Sequence, residues 1–313
     1  MKTHIIIHVL PFEIDRFEHQ MFELRKNSYF LNKADEVAID ATLNVNDLLV
    51  DWNKSKISKQ YFIDRFEKLK DVAKWATLYF DVSSNNECLG VDDKRRQAIR
   101  KYAGSCDNFL YLDNDMFYPN PTLAYMMDAA RTIKYKNKYY IISPQSTMLW
   151  DASWDVLVNE SYNNLKHEDL YCTDQFEVFI KDYGDIEVVP IDTFKMGGGW
   201  VNMLSSDLLA YTDIPDSFGP YGLDDTFVID ACKIMKGMNV DVQQYVIKNL
   251  VVTQSYMFEL HKIYLDHISF NINQKQIFAA DAAKSYQQEI NKFIERCKHD
   301  FVHNTDKKQS SLS

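Results

Sequence analysis

Cysteine is scarce in this chain: five residues (Cys88, Cys106, Cys172, Cys232, Cys297) are spread over 313 positions with no CxxC or CxxH spacing. Neither a disulfide framework nor a zinc site is indicated, and a reducing cytosol suits such a sequence. Long apolar runs are also missing. None approaches the roughly eighteen residues of a membrane-spanning helix, and the opening MKTHIIIHVL breaks at Pro11 too soon for a signal peptide. The expectation is a soluble, cytoplasmic protein without a transmembrane segment, with peripheral membrane attachment left open. Basic residues are outnumbered by acidic ones, 35 to 45, for a formal charge of −10. The field of the whole molecule therefore repels polyanions, which argues against a general nucleic-acid partner. A local basic patch can still hold a phosphate, because screening confines each charge to about 8 Å at physiological salt. The nine glycines and seven prolines form no linker, and no fixed-period repeat or low-complexity block occurs.

What is present is an ordinary globular composition, 46% hydrophobic and 26% charged, which excludes collagenous, disordered and coiled-coil architectures. Short apolar runs alternate with amphipathic stretches in the first half, the pattern of βα units around a largely parallel sheet. Strands are expected at Ile5–Val9, Glu36–Asp40, Leu78–Val82, Phe109–Leu112 and Tyr139–Ser143. Helices are expected near Glu13–Asn27, Ser58–Thr77, Asp92–Tyr102 and Pro121–Ile133. The later sequence is aromatic-rich, with strands expected at Ile186–Val189 and Val240–Val252 and helices at Ser206–Tyr211, Asp225–Met238 and Lys275–Cys297. The chain reads as one continuous unit in two parts, 1–145 and 146–302, with a frayed tail at 303–313.

Phe109-Leu110-Tyr111-Leu112-Asp113-Asn114-Asp115 is the sharpest local signal. It sets two carboxylates just past the carboxyl end of a buried strand, where open α/β sheets bind their ligands. Carboxylates two apart on extended backbone share one face, and in a turn they can converge on one hard cation. The plain alternative is that Asp113 and Asp115 only cap the turn. An EF-hand loop would need Gly and Glu where Tyr118 and Ala124 stand.

A second constellation lies downstream. Gly197, Gly198 and Gly199 precede Trp200, and Tyr221-Gly222-Leu223-Asp224-Asp225 opens a helix. Glycines let the backbone approach a ligand closely, and aromatic rings offer faces on which a sugar can stack. Acids at a helix start are also ordinary complements of the macrodipole.

Together the two constellations resemble the nucleotide-sugar glycosyltransferases of the GT-A fold. The strand ending in Asp113-Asn114-Asp115 is similar to that family's D-x-D metal site. The segment from Gly197 to Asp230 is similar to the acceptor region of β-1,4-galactosyltransferases and family 2 enzymes, although Asp224 stands where Glu is more usual. The resemblance implies a Rossmann-like mixed α/β sheet flanked by helices, in a single domain with a C-terminal helical extension. It implies Mn²⁺ or Mg²⁺ as cofactor, with Asp115 as a direct ligand and Asp113 on the metal or the nucleotide ribose. His261 would be a further ligand, with His267 as understudy. Asp225 would be the catalytic base beside Asp224. Pro11, Phe12, Glu13 and Asp40, the last taken as a strand end, would contact uridine. Arg95 and Arg96, in the cluster Lys94-Arg95-Arg96, would contact diphosphate unless that cluster is a solvated helical face. Gly198, Gly199, Trp200 and Tyr221 would meet the sugar or acceptor.

The activity so implied is transfer of a sugar from a nucleoside diphosphate donor, UDP-linked, to a carbohydrate or other hydroxyl acceptor, with inversion. A sugar-nucleotide pyrophosphorylase is one alternative, but Leu10-Pro11-Phe12-Glu13 lacks the glycine-rich phosphate loop such an enzyme needs. A non-catalytic carbohydrate-binding protein is another. A DNA-modifying glycosyltransferase would require a basic groove, for which only the lysines between Lys54 and Lys74 offer material.

Overall fold

Runs of β-branched and aromatic residues build the centre of the molecule. The computed structural model describes residues 1–45, 57–83, 90–148, 182–191, 194, 201–218, 223–254 and 272–310. Strand β1 (Lys2–Val9) is buried along nearly its whole length, as is β2 (Glu36–Asn44), because parallel strands in such a sheet are covered on both faces; polar Thr3, His4, Asp40, Thr42 and Asn44 are buried with the apolar majority. Strand β3 (Thr77–Ser83) carries no buried residue, consistent with its place at a sheet edge. Strand β4 (Asn108–Leu112) is buried throughout. Further strands are β5 (Met116–Phe117), β6 (Tyr139–Met148), β7 (Asp182–Ile191), β8 (Val201–Ser205) and β9 (Val242–Gln254).

These form a nine-stranded sheet in the order β3-β2-β1-β4-β8-β6-β9-β5, with β7 also on β9. Pairings β3 to β2, β2 to β1 and β1 to β4 are parallel. Strand β8 inserts antiparallel between β4 and β6, and β9 runs parallel to β6. The order turns at β1, which has β2 on one side and β4 on the other. The carboxyl ends of β1 and β4 therefore flank a switch-point crevice.

Seven helices are present among the described residues: α1 (Ile14–Ser28), α2 (Lys59–Val72), α3 (Val91–Tyr102), α4 (Thr122–Lys134), α5 (Ser206–Thr212), α6 (Asp224–Gly237) and α7 (Ile272–Ser310). On one face, α1, α2 and α4 bury Phe17, Met21, Phe66, Met126 and Met127 against Ile5, Ile7, Leu110 and Leu112. The Phe17 and Phe66 rings stack at 5.3 Å. On the other, α3, α5, α6 and α7 bury Ile99, Leu208, Phe227, Ile290 and Phe293 against Ile6, Phe109 and Tyr111. The alternation of Ile5, Ile6 and Ile7 between the two cores follows from the strand's period of two. Each buried large side chain contributes about 1.5–3 kcal/mol of transfer free energy.

The α/β architecture, its mixed sheet and the C-terminal helix are as expected, and the departures are local. Strand β2 continues to Asn44, so Asp40 lies mid-strand and not at a strand end. The helix expected over Ser58–Thr77 stops at Val72, because Thr77 already pairs with Ala38 in the sheet. Helix α7 runs to Ser310 where a frayed tail from His303 was expected. Strand β8 and the two-residue β5 were not anticipated; VNMLS lacks the alternation that marks a half-exposed strand because all five residues are buried.

Candidate active site

The chain leaves β1 through a 3-10 turn, Pro11–Glu13, in which Pro11 and Phe12 are buried. The Glu13 carboxylate folds back and its Oε2 accepts from the Leu10 amide at 3.0 Å. The turn after β4 is fastened to this one. Asn114 Nδ2 donates to the His8 carbonyl at 2.6 Å and to Glu13 Oε2 at 3.2 Å, while Gln20 Nε2 of α1 donates to the Asp113 carbonyl at 3.2 Å. Asn114 is thereby buried, and its two neighbours, Asp113 and Asp115, stay partly open to solvent. The hydrogen bonds of Asn114 turn its amide inward and leave the carboxylates on either side of it toward solvent.

Helix α3 begins at the same edge of the sheet. Residues three apart on a helix share a face, so Asp92 and Arg95 point together toward β4 and α6. Arg95 Nη1 donates to Asp224 Oδ2 at 2.8 Å and Nη2 to Asp113 Oδ1 at 3.2 Å. Its guanidinium also lies over the Tyr111 ring, 4.3 Å from the centroid. Arg95 is only 4% exposed. A single buried cation thus joins the first aspartate of one motif to the first aspartate of the other.

The neighbouring basic residues do different work. Lys94 Nζ donates to Asp40, whose other oxygen meets His4 Nε2 at 3.1 Å. Burial works against the Asp40 carboxylate, but His4 and Lys94 outweigh it and hold its pKa below the usual range. Arg96 Nη1 donates to the carbonyls of Pro215 at 2.5 Å and Phe218 at 3.1 Å. All three cations are buried, which corrects the reading of this cluster as a solvated helical face. Arg96 faces the 213–218 loop, away from Asp113.

Six carboxylates crowd the crevice: Glu13, Asp92, Asp113, Asp115, Asp224 and Asp225. Burial raises Glu13 to about 8, opposed by the Leu10 amide and reinforced by the charge of Asp115. Burial, then the negative charges of Asp115, Asp224 and Asp225, raise Asp113 to about 7 against the pull of Arg95. Its side chain remains 32% exposed, so water tempers the burial contribution. Asp225 is raised by burial and by Asp224, with the Thr226 amide, 2.9 Å from its Oδ1, opposing. Asp224, in contrast, is buried against Arg95, so of the two adjacent acids Asp225 is the more open.

Among the described residues no three His, Cys, Asp or Glu side chains form a closed metal cage. Asp113 and Asp115 nonetheless suit a divalent ion. Their oxygens are hard donors, the surplus of negative charge favours a cation, and Mg²⁺-type sites are commonly completed by substrate phosphates and not by protein alone.

Gly198, Gly199, Trp200, Tyr221 and His261 lie outside the described residues, as does His267. Asp92 was not singled out from the sequence, because an acid in the first turn of a helix reads as a complement to the macrodipole. Its spacing of three from Arg95 was the available signal.

No protein-family model matches the chain, and no curated protein matches it. Among solved structures the chain is similar to S. aureus TarS 1–349, at 13% identity over 90% of this chain and 71% of that one, with a TM-score of 0.44. It is similar to a mycobacterial protein at 11% identity over 87% of this chain and 76% of that one, TM-score 0.43. It is also similar to glucosyl-3-phosphoglycerate synthase from Mycobacterium tuberculosis in complex with Mn²⁺ and uridine-diphosphate-glucose, at 10% identity over 86% and 80%, TM-score 0.41.

Proposed function

We propose that this chain is a metal-dependent glycosyltransferase that moves a sugar from a UDP-linked donor to an acceptor hydroxyl with inversion at the anomeric carbon. The observation that carries the reading is the bridge from Arg95 to both Asp113 and Asp224, which gathers the two motifs at the switch-point crevice. Transfer from a nucleoside diphosphate needs three things in one place: a site for the diphosphate, a group to hold its charge, and a base for the acceptor.

Asp113 and Asp115 would hold Mn²⁺ or Mg²⁺. When bound, that ion stabilises the charge developing on the departing diphosphate. The turn that carries them is fixed by Asn114 and Gln20, so little reorganisation is needed when the donor arrives. Pro11, Phe12 and Glu13 border the crevice on the β1 side as nucleotide contacts.

Asp225 takes the proton from the acceptor hydroxyl as it attacks the anomeric carbon. A carboxylate raised above its ordinary pKa is a stronger base than a surface aspartate, and general bases work best when their pKa approaches the working pH. Asp224 is held by Arg95 and anchors the first turn of α6 on which Asp225 stands.

The test is a panel of nucleotide sugars with and without Mn²⁺, read by thermal shift and by release of nucleoside diphosphate. One donor should raise the melting temperature, since a ligand bound only to the native state stabilises it, and should yield nucleoside diphosphate only with the metal. Formation of a nucleotide sugar from a sugar phosphate would support the pyrophosphorylase reading instead. Binding of carbohydrate without turnover would support a binding protein.

A further inference from the structure

We infer that Asp92 is a positioning residue: held as a neutral carboxylic acid, it donates a hydrogen bond to Asp224 and fixes that carboxylate against Arg95, in line with Asp225. The inference rests on the glycosyltransferase reading for its effect on catalysis, and on burial and the surrounding charges for the state of Asp92.

Asp92 is 3% exposed in the first turn of α3, and its Oδ2 is buried without a hydrogen-bond partner. An isolated buried carboxylate is costly, and such a group takes up a proton in preference to staying charged. The charges around it leave little choice. From α3 it faces Arg95; from α6, Asp224 and Asp225; from β4 and the turn beyond, Tyr111 and Asp113 adjoin the same guanidinium. Arg95 donates to Asp224 and Asp113, so one positive charge faces three nearby acids and at least one of them favours the neutral form. Asp224 is the charge that bears most strongly on Asp92, and two carboxyl groups can share a hydrogen bond only if one carries the proton. Burial first, then the charge of Asp224, raise Asp92 to about 9, whereas Asp224 has the guanidinium as its partner.

A group whose folded pKa lies above its unfolded value of about 3.9 contributes its stability in full below that value and loses it as pH rises toward about 9. Asp92→Asn is uncharged at every pH and its amide can donate the same hydrogen bond. The melting temperature of Asp92→Asn relative to the unaltered protein should therefore climb steadily between pH 5 and about 9. A difference that stays flat or shrinks with pH would mean that Asp92 is ionised in the fold, and would overturn the inference.

The kinetic arm asks whether the hydrogen bond orients the site. Asp92→Ala should lower kcat by about ten- to a hundred-fold at unchanged donor KM, because small displacements of catalytic groups cost that much, and Asp92→Asn should recover most of the loss. Equal losses in both variants, or none in either, would overturn the positioning role. Should Asp92→Ala fail to fold, Asp92→Leu, close to Asp in size and without a donor, supplies the same comparison. Absence of any transfer by the unaltered protein would count against the glycosyltransferase reading, and the pH-dependent stability of Asp92→Asn would still decide the state of Asp92.

Discussion

Arg95 Nη1 stands 2.8 Å from Asp224 Oδ2, across 129 residues of sequence. Both side chains are almost wholly out of water, at 5% and 10% exposure, so neither charge is stable there without the other. The second arm of the same guanidinium reaches Asp113 at 3.2 Å, and its face covers Tyr111. Arginine alone among side chains offers parallel donors and a flat face together. The turn after β4 and the first turn of α6 are therefore mechanically joined through one residue of α3.

Removal of that residue should be severe. Arg95→Ala leaves Asp113 and Asp224 facing each other without a cation, and breaking a buried ion pair costs about 3–5 kcal/mol. Arg95→Lys should recover only part of this, since one ammonium cannot reproduce the forked contact. Urea unfolding at neutral pH measures both, and wild-type stability in Arg95→Ala would contradict the buried bridge.

Asp225→Asn tests the base. The substitution keeps the size of the side chain and removes its ability to take a proton. Donor binding should be retained, while transfer to acceptor falls by about 10²–10⁴-fold. Calorimetric titration of the donor and a coupled assay for nucleoside diphosphate separate the two effects; wild-type transfer would reject Asp225 as base.

Asp40, mid-strand between His4 and Lys94, should matter for stability with a defined pH dependence. Its pKa is depressed in the fold, so its contribution is present above the unfolded value of about 3.9 and is lost as pH falls through the folded one. Asp40→Asn should cost about 3–5 kcal/mol at pH 7, and the deficit should narrow as pH falls toward 3. Thermal unfolding at the two pH values shows whether it does.

Asn114 holds the two crevice turns together through His8 and Glu13. Asn114→Ala should cost about 1–3 kcal/mol, the usual penalty for leaving a buried group without its partner. It should also weaken Mn²⁺ binding by freeing the turn that presents Asp113 and Asp115. Chemical denaturation and metal titration read these two effects independently.

The runs IIIHV and FLYL announced β1 and β4 because strands buried on both faces are apolar without interruption. The same logic made Asp113-Asn114-Asp115 conspicuous, as polar residues abruptly ending such a run. Strand β8 was obscure since VNMLS is short and buried throughout, and periodicity cannot classify such a segment. The mid-strand position of Asp40 was hidden by its charge, which reads as a strand terminus until Lys94 and His4 are seen beside it. Sequence likewise gave Arg95 and Arg96 one shared role, whereas a helix turns about 100° per residue and sends them to different partners. The convergence of Asp92, Arg95, Asp113 and Asp224 is tertiary, and only the fold brings it about.

Anomalous diffraction at the manganese edge, from crystals grown with Mn²⁺ and UDP, addresses the central claim most directly. The account predicts a peak bridging the carboxylates of Asp113 and Asp115 and the diphosphate, within the crevice that Asp225 borders. A peak elsewhere, or UDP bound with the Asp113–Asp115 turn empty, would contradict it.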